Sequence, residues 1–529
     1  MAASRYDVVV IGAGMTGAGV ALDAASRGLR VALVEAGDIA SGTSSKSSKM
    51  VHGGLRYLRQ REFRLVYENL RERQRLLDNA PFLVRPLPFL IPLFAHNGVL
   101  SRALVRGYAT ALRLYDLAGG WRLGRHRRIS KAEALAHLPT LNIERLVAGF
   151  LYLDARGDDA RIALALARTA ALDYDVDVAN YLRATGVTYD ANGRVSGVMC
   201  RDEISGVAHA LATRAVVNAT GVWADDFAAM AQQHGLHRVT PAKGVHLSVP
   251  SSRLPADVAA VLNVPGDRRS IFIVPFEEVP YTFIGTTDTA YAGPLDQPVC
   301  SPDDVAYLLN AVNQSTSSEL IPQDVTGVWA GLRPLLAPPE GKRLSARTAD
   351  LSRRHQVIDS GDGVVHVTGG KWTTYRQMAE DGVDALRPYF ADLASVQTKK
   401  LRLHGTGEWR PHTPLEQHLY QRYGQEALSL IGLINERPEL GDRPIRDQPY
   451  VSAEFIFAVR HEMATSLVDL VTRRTRAHLH DARATLRAAE TIATLVAPEL
   501  GWSLERCQRE VAEYRAMVHH EFSAAGLTL

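Results

Sequence analysis

The stretch YDVVVIGAGMTG at residues 6–17 decides the fold. Its first half is apolar and β-branched, which predicts a buried strand, and its second half is a Gly-x-Gly-x-x-Gly turn. A helix is expected over about residues 16–26, and a second strand at residues 30–34 leads to Glu35, whose carboxylate can accept hydrogen bonds from ribose hydroxyls. A strand, a glycine turn, a helix and a strand that ends in an acid form the pattern of a dinucleotide-binding βαβ unit.

The glycines and the start of the helix have separate physical roles in this pattern. Gly12 permits the tight turn, Gly14 lets the backbone approach a pyrophosphate, and Gly17 lets the helix pack on the strand. The free N–H groups around Met15 and Thr16, together with the positive end of the helix dipole, favour phosphate binding. A glycine turn also occurs as a plain structural turn, and the glycines do not decide which dinucleotide binds.

A hydroxyl-rich, basic loop follows the ribose acid and reads SGTSSKSSKMVHGGLRYL at residues 41–58. Hydroxyl and backbone N–H groups suit a second row of contacts to a long cofactor. Composition alone is equally compatible with a flexible surface loop.

The run SSKSSKMVHGGLRYL at residues 44–58 closely resembles the FAD-dependent glycerol-3-phosphate dehydrogenases, which are the membrane-associated, quinone-reducing type. The resemblance covers nearly the whole chain and includes GLRPL at residues 331–335 and GGKWTTY at residues 369–375. It implies that the dinucleotide is FAD rather than NAD. No metal site is indicated.

Three further segments are expected to contact the cofactor. VVNATG at residues 216–221 is a strand with a tight glycine turn, typical of two-dinucleotide-fold flavoproteins but also of ordinary βα turns. The glycine turn at residue 369 directs a second helix N-terminus inward, which would stabilise the negative charge of a reduced flavin by roughly 0.3–1 kcal/mol. The resemblance adds a backbone contact to adenine near Val178. Beyond the first turn and Glu35, the predicted cofactor contacts are Thr43, Ser44, Ser45, Ser48, Lys49, His52, Gly53, Gly54, Val178, Ala219, Thr220, Gly221, Gly369, Gly370, Lys371 and Thr373.

The predicted fold class is α/β, with a Rossmann-like two-dinucleotide-fold FAD domain, an inserted antiparallel-sheet substrate domain and a C-terminal all-helical cap. The FAD domain is expected at residues 1–75, 150–235 and 345–395, the substrate domain at 76–149 and 236–344, and the cap at 400–529. Residues 81–94 carry four prolines, which predicts extended chain or an edge strand over a pocket.

Composition excludes several classes of protein. A hydrophobic content of 46% and a charged content of 22% are ordinary for a globular protein, and a net charge of +3 gives no reason to expect nucleic-acid binding. Three cysteines without a Cys-x-x-Cys pair indicate neither zinc nor an iron–sulfur cluster, and they suit a reducing compartment. A first strand near residue 6 leaves no room for a signal peptide, so a cytoplasmic location is expected, and no apolar run is long enough to span a bilayer.

A basic amphipathic helix at residues 101–117 and the cluster WRLGRHRR at residues 121–128 suit attachment to an anionic membrane surface. Packing of the helix on its own domain explains the same pattern. The family's acceptor, ubiquinone or menaquinone, resides in the bilayer, which favours peripheral attachment at the inner face of the cell membrane. The role of the C-terminal segment around residues 459–476 stays open between dimerisation and docking.

The family reaction is the oxidation of sn-glycerol 3-phosphate at C2 to dihydroxyacetone phosphate, with hydride transfer to FAD and electrons passed to quinone. His246 is the first choice for the general base because an ordinary histidine pKa lies near working pH, and Lys371 is the second. Arginine can bind phosphate in bidentate fashion. The candidate substrate contacts are Arg56, Tyr57, His246, Arg333, Arg347 and Lys371, and His246, Arg333 and Lys371 are the candidate catalytic residues.

Two rival functions remain open at this point. An oxidase of the same fold would act on an amino acid or hydroxy acid, with oxygen as acceptor, and would need one carboxylate clamp rather than several cations. A flavin-containing RNA-binding protein would need a strongly basic surface, which a net charge of +3 argues against.

Overall fold

The computed structural model describes residues 5–59, 62–95, 101–120, 122–233, 239–264, 267, 269–337 and 354–529, without the side chains of Arg56, Arg59 and Leu104. The strands in these ranges are β1 (Arg5–Ile11), β2 (Val31–Val34), β3 (Met50–Val51), β4 (Val84–Phe94), β5 (Arg127–Ser130), β6 (Leu146–Gly157), β7 (Asp177–Ala179), β8 (Leu182–Tyr189), β9 (Val195–Asp202), β10 (Ala208–Asn218), β11 (Val239–Pro250), β12 (Ala259–Asn263), β13 (Ser270–Pro275), β14 (Tyr281–Gly285), β15 (Thr289–Ala290), β16 (Gly327–Leu336), β17 (His355–Asp359) and β18 (Val364–Gly369).

The helices in the same ranges follow the same order along the chain. They are α1 (Met15–Ser26), α2 (Arg56–Arg59), α3 (Phe63–Asn79), α4 (Arg102–Ala118), α5 (Lys131–His137), α6 (Asp159–Tyr174), α7 (Ala224–Met230), α8 (Pro302–Asn313), α9 (Tyr375–Asp384), α10 (Pro414–Tyr423), α11 (Ala427–Glu436), α12 (Ser452–Glu462), α13 (Leu467–Asp469), α14 (Ala477–His480), α15 (Ala482–Arg487), α16 (Ala489–Leu500) and α17 (Leu504–Ala524). Of these helices, none combines the length and the apolar character that a membrane crossing requires.

The first sheet is the predicted nucleotide-binding sheet. Its order is β17-β18-β10-β1-β2-β7, with β9 and β8 added antiparallel beside β10. The inner strands β18, β10, β1, β2 and β7 run parallel. The central strands β1, β2 and β18 bury both faces, because α1, α6 and α9 cover one face and β8, β9 and α7 pack on the other. The βαβ unit predicted from the sequence is confirmed.

The second sheet carries the substrate side of the molecule, in the order β15-β11-β14-β13-β12-β4-β6-β3, with β16 beside β11 and β5 beside β6. The predicted antiparallel sheet is confirmed, with one parallel pair among the described strands, β12 with β4 through Ala259 and Ala260. The predicted domain boundaries place residues 50–51 in the nucleotide domain, whereas β3 pairs with β6 in the second sheet.

The proline-rich strand β4 is internal, so the expectation of an edge strand is wrong. It pairs with β6 along its whole length and touches β12 at only two positions. Pro86, Pro88 and Pro92 are separated by even numbers of residues, so their missing N–H groups all lie on one edge of the strand. Because β12 pairs with β4 at only two positions, few hydrogen bonds of the sheet are lost where these N–H groups are missing.

The C-terminal helices share one hydrophobic core with the second sheet. Buried side chains of β11 and β13 belong to the same cluster as buried side chains of α12 and of residues 470–474; examples are Leu247, Val249, Ile273, Phe455 and Leu470. The predicted helical domain is therefore confirmed, and it packs as part of the substrate domain rather than as a loose cap.

Two details of the C-terminal helices come from the structure. Residues 466–479 do not form one amphipathic helix but break into α13, a π-helical turn at residues 470–474, and α14. Pro498 does not end α16, because it lies in its last turn, and the helix stops at Gly501 in the left-handed conformation (φ 63°).

His418 joins the second sheet to the C-terminal helices through two carboxylates. Its Nε2 lies 2.8 Å from Glu454 Oε2, and its Nδ1 lies 3.4 Å from Glu278 Oε2, in the turn between β13 and β14. Burial alone would lower the pKa of His418, but Glu454 and Glu278 more than offset this and raise it to about 9. The protonated form therefore stabilises the fold.

This pKa predicts a loss of stability in alkaline solution. The stabilisation by His418 is fully present below the ordinary histidine pKa, and it is lost as the pH rises through about 9. On the order of 3 kcal/mol of the free energy of unfolding is expected to disappear between pH ~6 and pH ~9.5. Urea denaturation of the wild type and of His418→Gln at several pH values checks this, since the variant should lose most of the pH dependence of the free energy of unfolding. An equal change of that free energy with pH in the two proteins would contradict the prediction.

Candidate active site

One large cavity lies where the ends of the nucleotide-sheet strands face the second sheet, with a volume of about 2200 Å³. Ordinary small-molecule pockets measure roughly 300–1000 Å³, so this cavity has room for a dinucleotide and a second molecule. The glycine turn after β1, the turn after β10 and the turn after β18 all line it. The three turns predicted separately from the sequence therefore converge on one site.

The turn after β1 has no room for larger side chains. Gly12 has φ +100°, and a Cβ there would lie 2.7 Å from the Ala219 carbonyl oxygen. A Cβ on Gly17 would lie 1.7 Å from the Gly12 carbonyl oxygen, so Gly17 lets α1 approach β1. The Met15 N–H donates to Ser44 Oγ at 2.8 Å, which ties the start of α1 to the hydroxyl-rich loop.

Glu35 is fixed at the end of β2 by two backbone donors. Its Oε2 accepts from the Ala13 N–H at 2.7 Å, and its Oε1 accepts from the Gly37 N–H at 3.0 Å. Burial raises the pKa of this carboxyl, although both N–H groups favour its charged form. The carboxylate lines the cavity, as a ribose acceptor must.

The hydroxyl-rich loop lies between the two sheets and is anchored on both sides. Thr43 Oγ1 donates to the Leu332 carbonyl at 2.6 Å, and Trp329 Nε1 donates to the Ser47 carbonyl at 3.4 Å. On the other side, the Ser47 N–H and hydroxyl both bond to Asp159 Oδ2, at 2.9 and 2.6 Å. The loop is thus part of the fold, and the alternative of a flexible surface loop is wrong.

His246 lies at the second-sheet side of the cavity and is 2% exposed. Its ring stacks on Trp329, with centroids 4.9 Å apart and planes at 7°. Its Nε2 lies 2.7 Å from Ser48 Oγ, and its Nδ1 is buried without a hydrogen-bond partner among the described residues. Burial, Lys49 and Arg333 lower the pKa of His246 well below the ordinary value, so the imidazole is neutral at neutral pH. The reason for which the sequence favoured His246, an ordinary pKa near working pH, is therefore wrong, and its candidacy rests on its position in the cavity.

Two of the predicted cationic substrate contacts, Arg333 and Lys371, line the same cavity, as do Lys46, Arg183 and Arg269. The Arg333 guanidinium lies 3.3 Å from Asp288 Oδ1 and from Thr286 Oγ1, which orients its fork. The Lys371 ammonium lies 4.1 Å from the centre of the Tyr57 ring. Of the other predicted substrate contacts, Arg56 starts α2 but its side chain is not described, and Arg347 lies outside the described residues.

The sequence-based interpretation missed an apolar lobe of the cavity. It is lined by aromatic and aliphatic side chains on β4, α4, β6 and β13: Phe89, Ile91, Tyr108, Tyr152 and Phe272. The proline-rich segment was expected to lie over a pocket, and this part of its interpretation is confirmed. Leu182, Arg183 and Trp223 also line the cavity and were missed. Leu182 and Arg183 were missed because neither the period nor the composition of β8 distinguishes them from residues of a solvent-facing strand.

Comparisons with known proteins agree with this architecture. Residues 7–376 match the model of the FAD dependent oxidoreductase family, and residues 394–507 match the C-terminal domain of alpha-glycerophosphate oxidase. A glycerol-3-phosphate dehydrogenase of Mycobacterium leprae is 41% identical over 98% of this chain and 88% of its own length. This chain belongs to the FAD-dependent glycerol-3-phosphate dehydrogenase family.

Other members of the FAD-dependent glycerol-3-phosphate dehydrogenase family extend the comparison. The mitochondrial glycerol-3-phosphate dehydrogenase of Rattus norvegicus is 35% identical over 98% of this chain and 74% of its own length. The X-ray structure of the glycerol-3-phosphate dehydrogenase from Bacillus halodurans, complexed with FAD, has a TM-score of 0.80 and 28% identity, and the match covers 98% of this chain and 96% of that one.

FAD is the cofactor of this dehydrogenase family, and the cavity fits it. Gly12, which has no Cβ, would let a pyrophosphate approach the start of α1, and the Glu35 carboxylate, which lines the cavity, would accept from the ribose hydroxyls. Of the predicted cofactor contacts, those that line the cavity are Gly12, Gly14, Met15, Thr16, Glu35, Thr43, Ser44, Ser48, His52, Gly54, Ala219, Thr220, Gly221, Gly369, Gly370, Lys371 and Thr373.

Five predicted cofactor contacts of this dehydrogenase do not line the cavity. These five residues are Gly17, Ser45, Lys49, Gly53 and Val178. Gly17 packs against Gly12, and Gly53 packs against Leu70 and Tyr115. Lys49 forms a buried ion pair with Asp159 at 3.2 Å. Ser45 is 5% exposed, and its carbonyl accepts from Arg476 at 2.6 Å. The neighbours of Ser45, Lys49 and Gly53 in sequence line the cavity instead.

Proposed function

We propose that this chain oxidises sn-glycerol 3-phosphate at C2 to dihydroxyacetone phosphate. The observation that carries the proposal is the position of Arg333, Lys371 and a neutral, buried His246 in the cavity that the dinucleotide turns also line. Two cations suit a substrate phosphate, whereas an oxidase of amino acids or hydroxy acids would need only one cation to bind the substrate carboxylate. The names of the relatives support the same substrate.

The residues divide the work of this reaction. Arg333 and Lys371 bind the phosphate, with Arg56 and Arg347 as further candidates, while Tyr57 supports the Lys371 ammonium. His246 takes the proton of the C2 hydroxyl through Ser48 Oγ, because Ser48 is the hydrogen-bond partner of Nε2. FAD, when bound, supplies the acceptor for the hydride from C2.

The apolar lobe favours a membrane quinone as the final electron acceptor. Phe89, Ile91 and Phe272 offer no partner for a polar substrate, whereas they can contact an apolar ring and its isoprenoid chain. A quinone acceptor would require contact with the membrane, which supports the proposed attachment at the inner face of the cell membrane.

A visible spectrum of the anaerobic protein, taken before and after addition of glycerol 3-phosphate, tests the proposal. Bleaching of the flavin bands would support the substrate and the direction of hydride transfer. A flavin spectrum that does not bleach would overturn the substrate and favour an oxidase of amino acids or hydroxy acids. Reoxidation by a short-chain quinone much faster than by oxygen is expected, and the reverse order would overturn the quinone acceptor.

Helix α4 supports the proposed attachment to an anionic membrane surface. Arg102, Arg106 and Arg113 are exposed beside Leu114 and Leu117, which are 46% and 57% exposed. We expect the protein to sediment with phosphatidylglycerol vesicles at low salt and to be released at high salt. Replacement of the three arginines by glutamine should abolish sedimentation, and replacement of Arg183, Arg201 and Arg437 should not. Absence of binding at low salt would contradict the proposal.

A further inference from the structure

The segment RRTR at residues 473–476 belongs to the C-terminal domain, yet its side chains reach into the nucleotide domain. Its first two residues end the π-helical turn at residues 470–474, and Arg476 adopts a left-handed backbone (φ 72°). Arg474 and Arg476 are 1% and 2% exposed. Buried arginines of this kind are rare unless they are fully paired.

Arg473 and Arg474 bind the turn that carries Glu35. Arg474 donates from Nη1 and Nη2 to the two carboxylate oxygens of Asp38, at 2.7 and 2.8 Å, and Arg473 Nε donates to Asp38 Oδ2 at 2.5 Å. Asp38 lies three residues after Glu35, and its side chain is fully buried. Burial would raise the pKa of Asp38, but Arg474 and Arg473 hold it well below its usual range, so the carboxylate is charged.

Arg476 binds the hydroxyl-rich loop. Its Nη2 donates to the Ser45 carbonyl at 2.6 Å and to Asp159 Oδ1 at 2.9 Å. The other oxygen of Asp159 accepts from the Ser47 N–H and hydroxyl. One C-terminal arginine therefore fixes the backbone between Ser44, which bonds to the Met15 N–H, and Ser48.

The two loops held in this way contact opposite parts of a dinucleotide. The turn with Glu35 stands at the ribose, and the loop with Ser44 stands beside the start of α1, at the pyrophosphate. Buried ion pairs contribute little net stability, because desolvation offsets their attraction, but they impose one geometry. A geometric role therefore explains four buried charges here better than a role in stability.

We propose that the RRTR segment positions these two loops for FAD, so that the C-terminal helical domain sets the affinity of the nucleotide domain for its cofactor. The residues act through Asp38, Asp159 and the loop backbone and are positioning residues. The inference rests on FAD as the cofactor and is independent of the substrate and of the electron acceptor.

The test measures release of FAD from the purified holoenzyme, followed by the rise in flavin fluorescence on dilution. Asp38→Asn and Arg476→Gln are each expected to weaken FAD binding by about 10-fold or more, within the range typical of coupling between sites. Arg168→Gln is the matched control. It removes another ion pair between the domains, with Glu426, that touches neither loop, and it should lower thermal stability without changing FAD release.

Three outcomes would overturn the proposal: wild-type FAD release in folded Asp38→Asn and Arg476→Gln, equal weakening in the control, or wild-type release in Arg473→Lys. Arg473→Lys keeps the charge and removes hydrogen bonds at a position that is 12% exposed, so it decides the matter where the other variants do not fold. Its FAD release is expected to be faster than that of the wild type at unchanged thermal stability in excess FAD.

Discussion

Replacement of Arg333 by alanine is expected to lower kcat/KM for glycerol 3-phosphate by a factor of ~30 to 5000, which corresponds to a loss of about 2–5 kcal/mol of transition-state stabilisation. The guanidinium is oriented by Asp288, Thr286 and the Thr287 carbonyl, so its fork is held toward the cavity before substrate binds. Removal leaves the phosphate without one of the two cations proposed to bind it. It also takes away the guanidinium that lies 3.3 Å from the Asp288 carboxylate, so the local negative charge next to the phosphate becomes stronger.

Steady-state kinetics over a range of glycerol 3-phosphate concentrations measure this effect. Arg333→Lys keeps the charge but not the fork, and it should recover part of the loss. Arg253→Ala is the matched control, because Arg253 pairs with Asp324 at the surface of the same domain, at 2.8 Å, and should leave the kinetics unchanged. Near-normal kinetics in Arg333→Ala would remove Arg333 from the phosphate site.

Replacement of His246 by alanine is expected to slow reduction of the bound flavin by ~10²–10⁴-fold, the usual contribution of a general base. The ring is held between Trp329 and the Ser48 hydroxyl, so its proton-accepting nitrogen is aimed at one group. Since its pKa lies well below the ordinary value, the wild-type rate should hold as the pH falls through the usual histidine range. Stopped-flow absorbance under anaerobic conditions gives both results.

Two further variants separate the roles around His246. Ser48→Ala removes the hydroxyl that links the ring to the cavity, and it should slow reduction by a similar factor, whereas Ser48→Thr should restore it. His137→Ala, which removes a histidine that pairs with Asp257 at the surface, is the control. Reduction at the wild-type rate in His246→Ala would transfer the role of base to Lys371.

The sequence predicted those parts of the fold whose cause is local. The strand, turn, helix and acid of residues 6–35 require particular residue types at fixed spacing, so each part could be placed within about two residues. Of the two alternatives for residues 81–94, the edge strand was wrong. Prolines show where backbone N–H groups are missing, but they do not show that a neighbouring strand, here β12, pairs with β4 at only two positions. The break in residues 466–479 depends on burial of Arg474 and Arg476 against another domain, which no local pattern records.

In the candidate site, too, features with a local cause were predicted and features that depend on distant residues were not. The turns that line the cavity were identified from glycine motifs, and His246, Arg333 and Lys371 from resemblance. Lys49 does not line the cavity because it pairs with Asp159, more than a hundred residues away in sequence. Gly53 does not line it because it packs against Leu70 and Tyr115. The apolar lobe is assembled from four separate elements, so composition along the chain gives no signal for it.

The hydrophobic core shared between the second sheet and the C-terminal helices has a consequence for synthesis in the cell. The strands β11 to β16 leave the ribosome long before the helices that cover Leu247, Val249 and Ile273. At translation rates of ~5–20 residues per second, one face of a finished sheet stays uncovered for roughly 10 to 40 s. The nascent chain therefore presents an adhesive apolar surface during that interval, and an early stop codon near residue 400 should yield an insoluble product rather than a working flavoprotein fragment.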